Sequence, residues 1–447
     1  MYRKALKSAL AVMVLSYGIC SYTASKLPDV IHINLGDSVK IRSVPFVNLY
    51  PTETKATKSE TADSLSSKYS ARLLGLINVK EVAVVQGEER YVAVSGKPFG
   101  IKMFCDGVMV VGFSDILTSG GYKNPAKSAG LKAGDIIVAI NGRKTHTNED
   151  VEKIIEKYGN SKMKVSYIRN DKEGTTNLTA VKDINTGGYR SGMWVRDSGA
   201  GIGTMTFYDI ENGFFAGLGH GIKDVDTHQE LRLLSGEIVP VKITDVVKSK
   251  NGTAGQLKGS FTSAIPSGKI LYNGPTGVCG KAYTSEIDNV MAVATPNQIQ
   301  PGKAYILTTI AGTQPRMYEI EIEKVNLTSN DMNKNMIIRI TDSRLLALTG
   351  GIVRGFSGSP IIQNNRLVGA VTHVFVNQVD KGYGIFATNM LATIDNVAAK
   401  YENAAAVINS NSESAISVFF TLCEYLTKSS SDIKLPFICM RSRKSII

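Results

Sequence analysis

The chain has 447 residues, of which 43% are hydrophobic and 42 are glycines, so it can form two or three β-rich domains with their own cores and is not a disordered protein. The net charge of +12 lies largely at the ends, because Arg3, Lys4 and Lys7 contribute +3 and residues 428–447 contribute +4. The middle of the chain therefore has a weak positive field, which argues against a nucleic-acid partner and favours anionic lipid near the ends.

The five cysteines are scattered along the chain and lack the paired spacing of a zinc site or a disulfide framework. The His-Glu-x-x-His motif of metalloproteases is also absent from the sequence. We therefore predict an activity that needs no metal and no cofactor.

The amino end, residues 1–25, has the pattern of an export signal. Three basic residues precede an uncharged stretch over residues 8–25. The apolar part is short for a spanning helix, which needs about 20 apolar residues, and no small-x-small cleavage site follows it. We expect export across a cytoplasmic membrane, with an uncleaved signal anchor favoured over a cleaved signal peptide.

Residues 26–87 predict a strand region that contains a flexible linker. The linker is the segment 51–70, which is dense in Thr, Ser, Lys and Glu and shows no helix or strand periodicity. At the other end of the chain, residues 402–447 contain an apolar stretch followed by basic residues. This tail fits either a helix that lies on a membrane surface or a strain-specific extension of the chain, and the sequence does not decide between them.

Residues 88–185 resemble a PDZ domain. Within them, residues 135–140 predict a strand, Asn141-Gly142 a tight hairpin turn, and residues 148–155 a helix with one apolar face. A PDZ domain binds an extended peptide between a strand and such a helix, and backbone N–H groups capture the terminal carboxylate. The resemblance therefore implies a peptide ligand, for which the amino-terminal region of this chain is one candidate.

The carboxylate-binding loop of the PDZ domain is predicted at Phe99, Gly100 and Ile101, which follow Lys97-Pro98. Here a glycine stands between two apolar residues at the start of an apolar strand. Ile101 would open the strand that pairs with the ligand. The alternative is a PDZ domain that serves only as a rigid spacer.

The most informative motif is Gly-Phe-Ser-Gly-Ser-Pro at 355–360. A serine hydroxyl becomes a useful nucleophile only with a base beside it and with donors for the oxyanion that forms after attack. The glycines at 355 and 358 allow a tight turn, so the N–H groups of Gly355 and Ser357 can point at one carbonyl oxygen. We therefore predict that Ser357 is the nucleophile and that Gly355 and Ser357 form the oxyanion hole.

The base must be one of only five histidines. His220 stands out because an apolar segment runs into the glycine-rich turn Gly-Leu-Gly-His-Gly, which places the imidazole at a strand end with space around it. His373 lies in a strand shortly after Ser357 and could face the site or the core. His228 follows two polar residues in a loop, and His32 and His146 fall in other segments.

The third member of a triad would be a carboxylate that orients the base. Asp342 ends an apolar strand-like run fifteen positions before Ser357. Asp224 and Asp226 are rivals because they follow His220 closely. Spacing alone leaves this choice open.

These motifs together resemble the SpoIVB serine peptidase family, which combines a PDZ domain with a peptidase domain. The resemblance runs from about residue 27 to about residue 400 and is carried by GMWVRDSGAGIGTMTFY at 192–208, GLGHGI at 217–222, and TGGIV at 349–353 with the serine motif. By matching position it implies a triad of His220, Asp342 and Ser357. We expect a mainly β fold with some α, in which the PDZ domain precedes a β-rich, chymotrypsin-like serine protease domain at residues 186–401.

The resemblance also implies a role. The family acts in sporulation, in the space between mother cell and forespore, where it cleaves a membrane-associated protein that restrains an intramembrane protease and so triggers late sigma-factor activation. It further implies autolytic maturation near the amino end, from which we expect release from the membrane. An inhibitor protein is a further candidate partner, which the sequence does not identify. The competing hypothesis is a catalytically silent PDZ scaffold that binds exported peptide termini.

Overall fold

The amino-terminal part of the protein is a helix followed by a small sheet. The computed structural model describes residues 2–36, 39, 41, 44, 46–52, 57–58, 65–284, 287–329 and 331–404. Most of the tail 402–447 and the segments 53–56 and 59–64 of the linker lie outside these residues. The first elements are α1 (Tyr2–Lys26), β1 (Val30–Asn34), β2 (Val47–Pro51), β3 (Thr57–Lys58), β4 (Leu65–Leu73) and β5 (Ile77–Gly87).

The five strands of this first sheet have the order β1-β5-β4-β2, with β3 paired to β4. The prediction that the whole segment 51–70 is a flexible linker is therefore wrong for residues 65–70, which pair with β5 along β4. Alternating side chains of these strands, such as Val82 and Val84, are buried in a separate small core. Among the described helices, α1 included, none is both long and apolar enough to cross a membrane.

The middle of the chain contains two long strands, with short strands and two helices between them. Its elements are β6 (Tyr91–Val94), β7 (Pro98–Phe113), β8 (Ile116–Thr118), β9 (Gly121–Lys123), α2 (Pro125–Ser128), β10 (Ile136–Ile140), β11 (Arg143–Lys144), α3 (Asn148–Tyr158), β12 (Lys162–Arg169), β13 (Lys172–Thr179), β14 (Val181–Lys182), β15 (Tyr189–Arg190) and β16 (Met193–Asp209).

α3 forms where the sequence places a helix. The Thr147 hydroxyl accepts a hydrogen bond from the Asp150 N–H, and the Asp150 carboxylate accepts one from the Thr147 N–H, which is a capping box. Val151, Ile154 and Ile155 are buried against the sheet β13-β12-β10-β7. The helix is therefore fixed at its first turn and along its apolar face.

The carboxyl-terminal part is almost entirely β-structure. Its elements are β17 (Phe214–Gly217), β18 (Leu233–Val247), β19 (Gln256–Phe261), β20 (Gly268–Gly274), β21 (Gly277–Ala282), β22 (Val290–Ala292), a 3-10 helix (Pro296–Gln298), β23 (Gly302–Thr308), β24 (Arg316–Val325), β25 (Met336–Ile340), α4 (Ser343–Thr349), β26 (Pro360–Gln363), β27 (Arg366–Phe375), β28 (Gln378–Phe386) and a helix over 387–404.

These strands form two closed barrels. In the first barrel β7, β18, β20, β21, β17 and β16 pair in this order, and β16 closes the ring by pairing with β7. The second barrel closes through β23, β24, β25, β28, β27 and β26. Each barrel is filled by its own cluster of buried apolar side chains, including Phe215 and Met103 in the first and Ile306 and Ile338 in the second. The predicted mainly β fold with a chymotrypsin-like pair of barrels is confirmed.

Two strands are shared between the first barrel and residues 116–190, which contain α3 and are called the α3 module below. The first half of β7 pairs with β18 in the barrel, whereas residues 108–109 pair with β10. β16 pairs with β7 over residues 193–204 and then with β17 from Met205. One continuous strand therefore runs from the α3 module into the barrel that carries His220.

Candidate active site

Ser357 lies in the loop between α4 and β26, at the entrance to the second barrel. The glycines on either side have left-handed backbone angles, with φ of +105° at Gly355 and +91° at Gly358. A side chain at Gly358 would also meet the Thr204 carbonyl oxygen at 2.0 Å. Only glycine satisfies both requirements, so the two glycines fix the turn that presents the Ser357 hydroxyl.

Two threonines of β16 hold this loop by its carbonyl groups. The Thr204 hydroxyl donates to the Gly355 carbonyl at 2.7 Å, and the Thr206 hydroxyl donates to the Gly358 carbonyl at 2.8 Å. The Thr204 N–H donates to the Ser357 carbonyl at 3.0 Å. Both threonines are buried. They were not predicted from the sequence, because threonine in an apolar strand is an ordinary β-former.

The loop leaves two backbone donors unused. Of the described residues, none accepts a hydrogen bond from the N–H of Gly355 or of Ser357, although the neighbouring N–H groups of Phe356 and Gly358 are bonded. Unused donors beside a nucleophile are what an oxyanion hole requires. The geometry agrees with the predicted pair Gly355 and Ser357.

His220 follows β17 of the first barrel and reaches Ser357 across the barrel boundary. Its Nε2 lies 2.9 Å from Ser357 Oγ, and its Nδ1 lies 2.9 Å from the Gly221 carbonyl oxygen. Because a carbonyl only accepts, Nδ1 carries the proton and the lone pair of Nε2 faces the hydroxyl. Burial lowers the pKa of His220, so the imidazole is neutral near pH 7 and can act as a base.

The Ser357 hydroxyl has a second acceptor within reach. Its Oγ lies 2.8 Å from the Thr372 carbonyl oxygen in β27. A hydroxyl has a single proton, so the Thr372 carbonyl competes with His220 Nε2 for it. Proton transfer to His220 requires the rotamer in which the hydroxyl donates to the imidazole.

Asp342 does not orient His220, and this part of the predicted triad is wrong in the structure. Asp342 is the N-cap of α4, where its carboxylate accepts from the N–H groups of Arg344 and Leu345 and pairs with the Arg344 guanidinium at 2.6 Å. The Arg344 guanidinium and these N–H groups hold the pKa of Asp342 far below its usual range. The physical reason is local: an aspartate directly before a helix binds the free N–H groups of the first turn.

The two alternative carboxylates, Asp224 and Asp226, also bind groups other than His220. Asp224 is buried and pairs with Arg196, and its other oxygen accepts from the N–H groups of Asp226 and Thr227. Asp226 pairs with the same arginine at 2.7 Å. Across the described part of the chain, no carboxylate makes a hydrogen bond to His220, and the Gly221 carbonyl takes that position.

A second histidine lies beside the base. The rings of His373 and His220 have centroids 4.8 Å apart and are tilted by 36°. Burial, together with the neighbouring His220, lowers the pKa of His373 to about 4. Among the described residues, the buried Nδ1 of His373 has no hydrogen-bond partner. His373 is therefore a neutral residue that lines the site. The other three histidines lie elsewhere: His32 in β1, His146 before α3, and His228 in a surface loop.

A cavity adjoins the oxyanion hole. It has a volume of about 440 Å³ and is bounded by residues 200–202 of β16, by β19, and by Arg354 and Gly355. The Gly201 backbone and the Leu257 side chain give it a narrow, partly apolar floor. A substrate side chain next to the scissile bond fits a cavity in this place.

The predicted carboxylate loop at Phe99, Gly100 and Ile101 is wrong. These residues lie inside β7, where Gly100 is paired with Ile202 on one side and with Val239 on the other. Phe99 and Ile101 are buried in the first barrel. With a strand on each edge, their backbone groups belong to the sheet and cannot bind a peptide end.

The groove that does adjoin α3 is formed by the start of β16. A cavity of about 520 Å³ separates α3 from Met193 and Val195, and Val151 and Ile155 of α3 supply its apolar wall. At its end, the N–H groups of Ser191 and Gly192 have no acceptor among the described residues. Glycine before an apolar strand, as in Gly192-Met193, is the signal that could have located this loop in the sequence.

The matches with known proteins agree with this geometry. Residues 187–391 match the family described as SpoIVB peptidase S55, and residues 118–180 match the PDZ domain family. Similarity to solved structures is more distant. A PDZ domain of an SdrC-like protein from Listeria monocytogenes is 23% identical, with 20% of this chain and 87% of that chain covered and a TM-score of 0.18.

The HtrA-type protease AlgW, solved with a decapeptide, is 11% identical, with 45% of this chain covered and a TM-score of 0.27. The chain spans 54% of the length of that protease. The two family matches confirm the resemblance that the sequence motifs suggest. The chain is therefore a serine peptidase whose catalytic region matches the SpoIVB peptidase S55 family and follows a PDZ domain.

Proposed function

We propose that the protein is an exported serine endopeptidase of sporulation that cleaves a membrane-associated regulatory protein between mother cell and forespore and so triggers late sigma-factor activation. The observation that carries the peptidase chemistry is the contact of His220 Nε2 with Ser357 Oγ beside the two unused N–H groups. The match of residues 187–391 to the SpoIVB peptidase S55 family supports the cellular role.

The residues support a two-step acyl transfer. His220 Nε2 takes the proton of Ser357, and Ser357 Oγ attacks the substrate carbonyl carbon. The N–H groups of Gly355 and Ser357 hold the oxyanion, and His220 then gives its proton to the leaving amine. Water, activated by the same histidine, hydrolyses the acyl-enzyme and restores the serine.

The proposed location is the outer face of a cytoplasmic membrane, with later release from it. The basic residues at positions 3, 4 and 7 and the uncharged segment in α1 support this proposal. Proposed partners are a regulator of an intramembrane protease as substrate, a peptide in the PDZ groove, and an inhibitor protein. A fusion of residues 1–30 to a reporter enzyme that works only outside the membrane tests export, and a reporter that stays inactive would overturn it.

We also propose autolytic maturation. The part of the polar segment 51–70 that precedes β4 joins the amino end to the domains, and polar connecting segments are preferred sites of cleavage. The wild-type protein should lose roughly its first 50 to 75 residues, whereas Ser357→Ala should stay at full length. Mass spectrometry of both forms, made in a host without other exported proteases, tests this. Identical trimming of the two would assign the cut to another enzyme.

A fluorophosphonate probe tests the catalytic proposal directly, because it reacts only with an activated serine. The purified protein should be labelled at Ser357, and the Ser357→Ala variant should not be labelled. A folded wild-type protein that the probe leaves unlabelled would contradict the proposal.

The second candidate function is a silent PDZ scaffold that binds exported peptide termini. One observation favours it: the imidazole of His220 is held by a carbonyl group, where active triads use a carboxylate. The scaffold predicts peptide binding to the groove without labelling of Ser357. The same probe experiment therefore separates the two candidates.

A further inference from the structure

One edge of β16 is open from the PDZ groove to the active site. On its first edge β16 pairs with β7 along residues 193–204, and on its second edge it pairs with β17 only from Met205 onwards. Within the described residues, no strand covers the second edge before that point. An open edge of this kind accepts an extended peptide as a further strand.

The open edge begins beside α3. The Asn148 N–H at the start of α3 donates to the Asp197 carboxylate at 2.8 Å, which fixes the helix beside this part of β16. The unused N–H groups of Ser191 and Gly192 lie immediately before the strand. Two adjacent free N–H groups in the lining of a groove are suited to a terminal carboxylate.

The open edge ends at the nucleophile. The N–H of Thr204 donates to the Ser357 carbonyl, so the edge faces the nucleophile loop at this residue. In a strand, residues two positions apart direct their N–H and C=O groups to the same edge. The N–H and C=O groups of Ile202 and Ala200 therefore point to the open edge of β16. Both residues line the cavity of about 440 Å³ together with Gly355.

The direction of a bound peptide follows from these two ends. A peptide with its carboxylate at Gly192 must extend along β16 towards Thr204, so it runs antiparallel to the strand. Its residues opposite Ala200 and Ile202 then follow the scissile bond, and its carboxyl-terminal residues lie against α3. The distance along the strand corresponds to about ten residues of extended chain, or roughly 35 Å.

We propose that β16 is a template on which the enzyme measures its substrate from the carboxyl terminus, so that bonds about ten residues before a free chain end are cleaved fastest. The proposal rests on the peptidase function proposed above. The hydrolysis is the ordinary one, in which water is consumed and the new amino end leaves with the short carboxyl-terminal product.

The chemistry of the groove defines the substrate class. One wall of the groove is apolar, with Ile116, Val151, Ile155, Met193 and Val195 around the end that would receive the last residues. The rest of the lining is polar and includes Asp115, Glu152, Asp183 and Arg190. A substrate that uses the template therefore has a free carboxylate, apolar final side chains, and a carboxyl-terminal segment that is extended and unfolded. Folded chain ends and amidated ends do not bind the template.

A tail of identical repeats tests the proposal, because every repeat offers the same bond and only the distance from the end differs. β-Casein is first incubated with the purified full chain, and a segment found to be cleaved is then synthesised as about four repeats of about ten residues, closed by a short apolar end with a free carboxylate. The matched control is the same peptide with an amidated carboxyl end. Mass spectrometry of early products from the purified full chain gives the rate at each repeat.

We expect the bond about ten residues from the free end to be cleaved about tenfold faster than the same bond in the other repeats, because binding at Gly192 raises its effective concentration at Ser357. Amidation should abolish this preference. Equal rates at all repeats, or a preference that survives amidation, would overturn the template while leaving the peptidase intact. Failure to cleave casein itself would instead overturn the peptidase function, and the template with it.

Discussion

The two loops of the active site are held in different ways. The Ser357 loop is tied to β16 through three carbonyl groups, by the side chains of Thr204 and Thr206 and by a backbone N–H. The His220 loop offers its imidazole one hydrogen bond to a carbonyl and a tilted contact with His373. The nucleophile loop is therefore tied directly to a strand of the other barrel, whereas the imidazole of the base is oriented by a single carbonyl of its own loop.

This difference has a chemical consequence. The oxyanion donors do not change their charge during the reaction, so a rigid loop serves them well. His220 becomes an imidazolium when it takes the proton, and a carbonyl dipole stabilises that charge less than a carboxylate does. We therefore infer a Ser357–His220 dyad whose activity depends strongly on the oxyanion hole and weakly on any carboxylate.

Loss of the nucleophile should have the largest effect. Ser357→Ala should abolish peptide hydrolysis and leave the fold intact, because the hydroxyl is small and the glycines keep the turn. Ser359→Ala is the matched control, since its buried hydroxyl bonds to Thr308 and not to the site. Turnover of casein fragments checks both. Activity in Ser357→Ala together with inactivity in Ser359→Ala would refute the assignment.

Loss of the base should cost nearly as much. His220→Ala should lower kcat by several powers of ten, and combining it with Ser357→Ala should add little, because the two residues act as a unit. His228→Ala is the control, since that histidine lies in a polar loop. Multiplicative losses in the double variant would contradict the dyad.

Thr204 tests whether its hydrogen bond to the Ser357 loop supports the oxyanion hole. Thr204→Val keeps the shape of the side chain but removes the hydrogen bond to Gly355, which should lower kcat about tenfold and leave KM nearly unchanged. Thr204→Ser should restore most of the activity. Thr145→Val is the matched control, because it removes an equally buried threonine–carbonyl bond in the α3 module. Equal losses in both valine variants would reveal a general stability effect.

The pH dependence reports on the base. His220 must be neutral to accept the proton, and burial lowers its pKa below the ordinary value of 6.5. The activity kcat/KM should therefore rise with pH and reach its plateau with a midpoint below 6.5. It is lost as pH falls through the pKa of the folded state. A midpoint above 6.5 would indicate a carboxylate that stabilises the imidazolium.

The parts of the site that were predictable depend on local sequence. Ser357 and Gly355 lie in one glycine-rich loop, and His220 is the one histidine of five that follows an apolar strand in a glycine-rich turn. Thr204 was not predictable, because it lies 151 residues from the carbonyl that it binds. Nothing in its own surroundings indicates that contact.

The PDZ groove shows a second limit. A glycine followed by an apolar residue and a strand-like run occurs both at Gly100-Ile101 and at Gly192-Met193, so the local pattern fits either place. The two segments differ in strand pairing. Residues 99–101 of β7 have a strand on each edge, whereas the start of β16 pairs with β7 on one edge and has an open second edge. Edge exposure depends on long-range strand order, which a single sequence does not reveal.

Asp342 was misassigned for a related reason. Its distance from Ser357 suits a triad, whereas the residues that follow it, Ser343 to Thr349, form a helix that an aspartate caps well. The asparagine variant separates these roles, because asparagine caps a helix as well as aspartate does but cannot orient an imidazolium by charge.

The ratio of kcat/KM between Asp342→Asn and the wild type is the most direct test of the dyad. We predict a ratio within about threefold of one, since the lost ion pair involves an exposed arginine. Asp342→Ala is the control for the cap and should lose about 1 kcal/mol of stability. A folded Asp342→Asn variant with activity reduced by about 10⁴ would refute the dyad and restore the carboxylate to the triad.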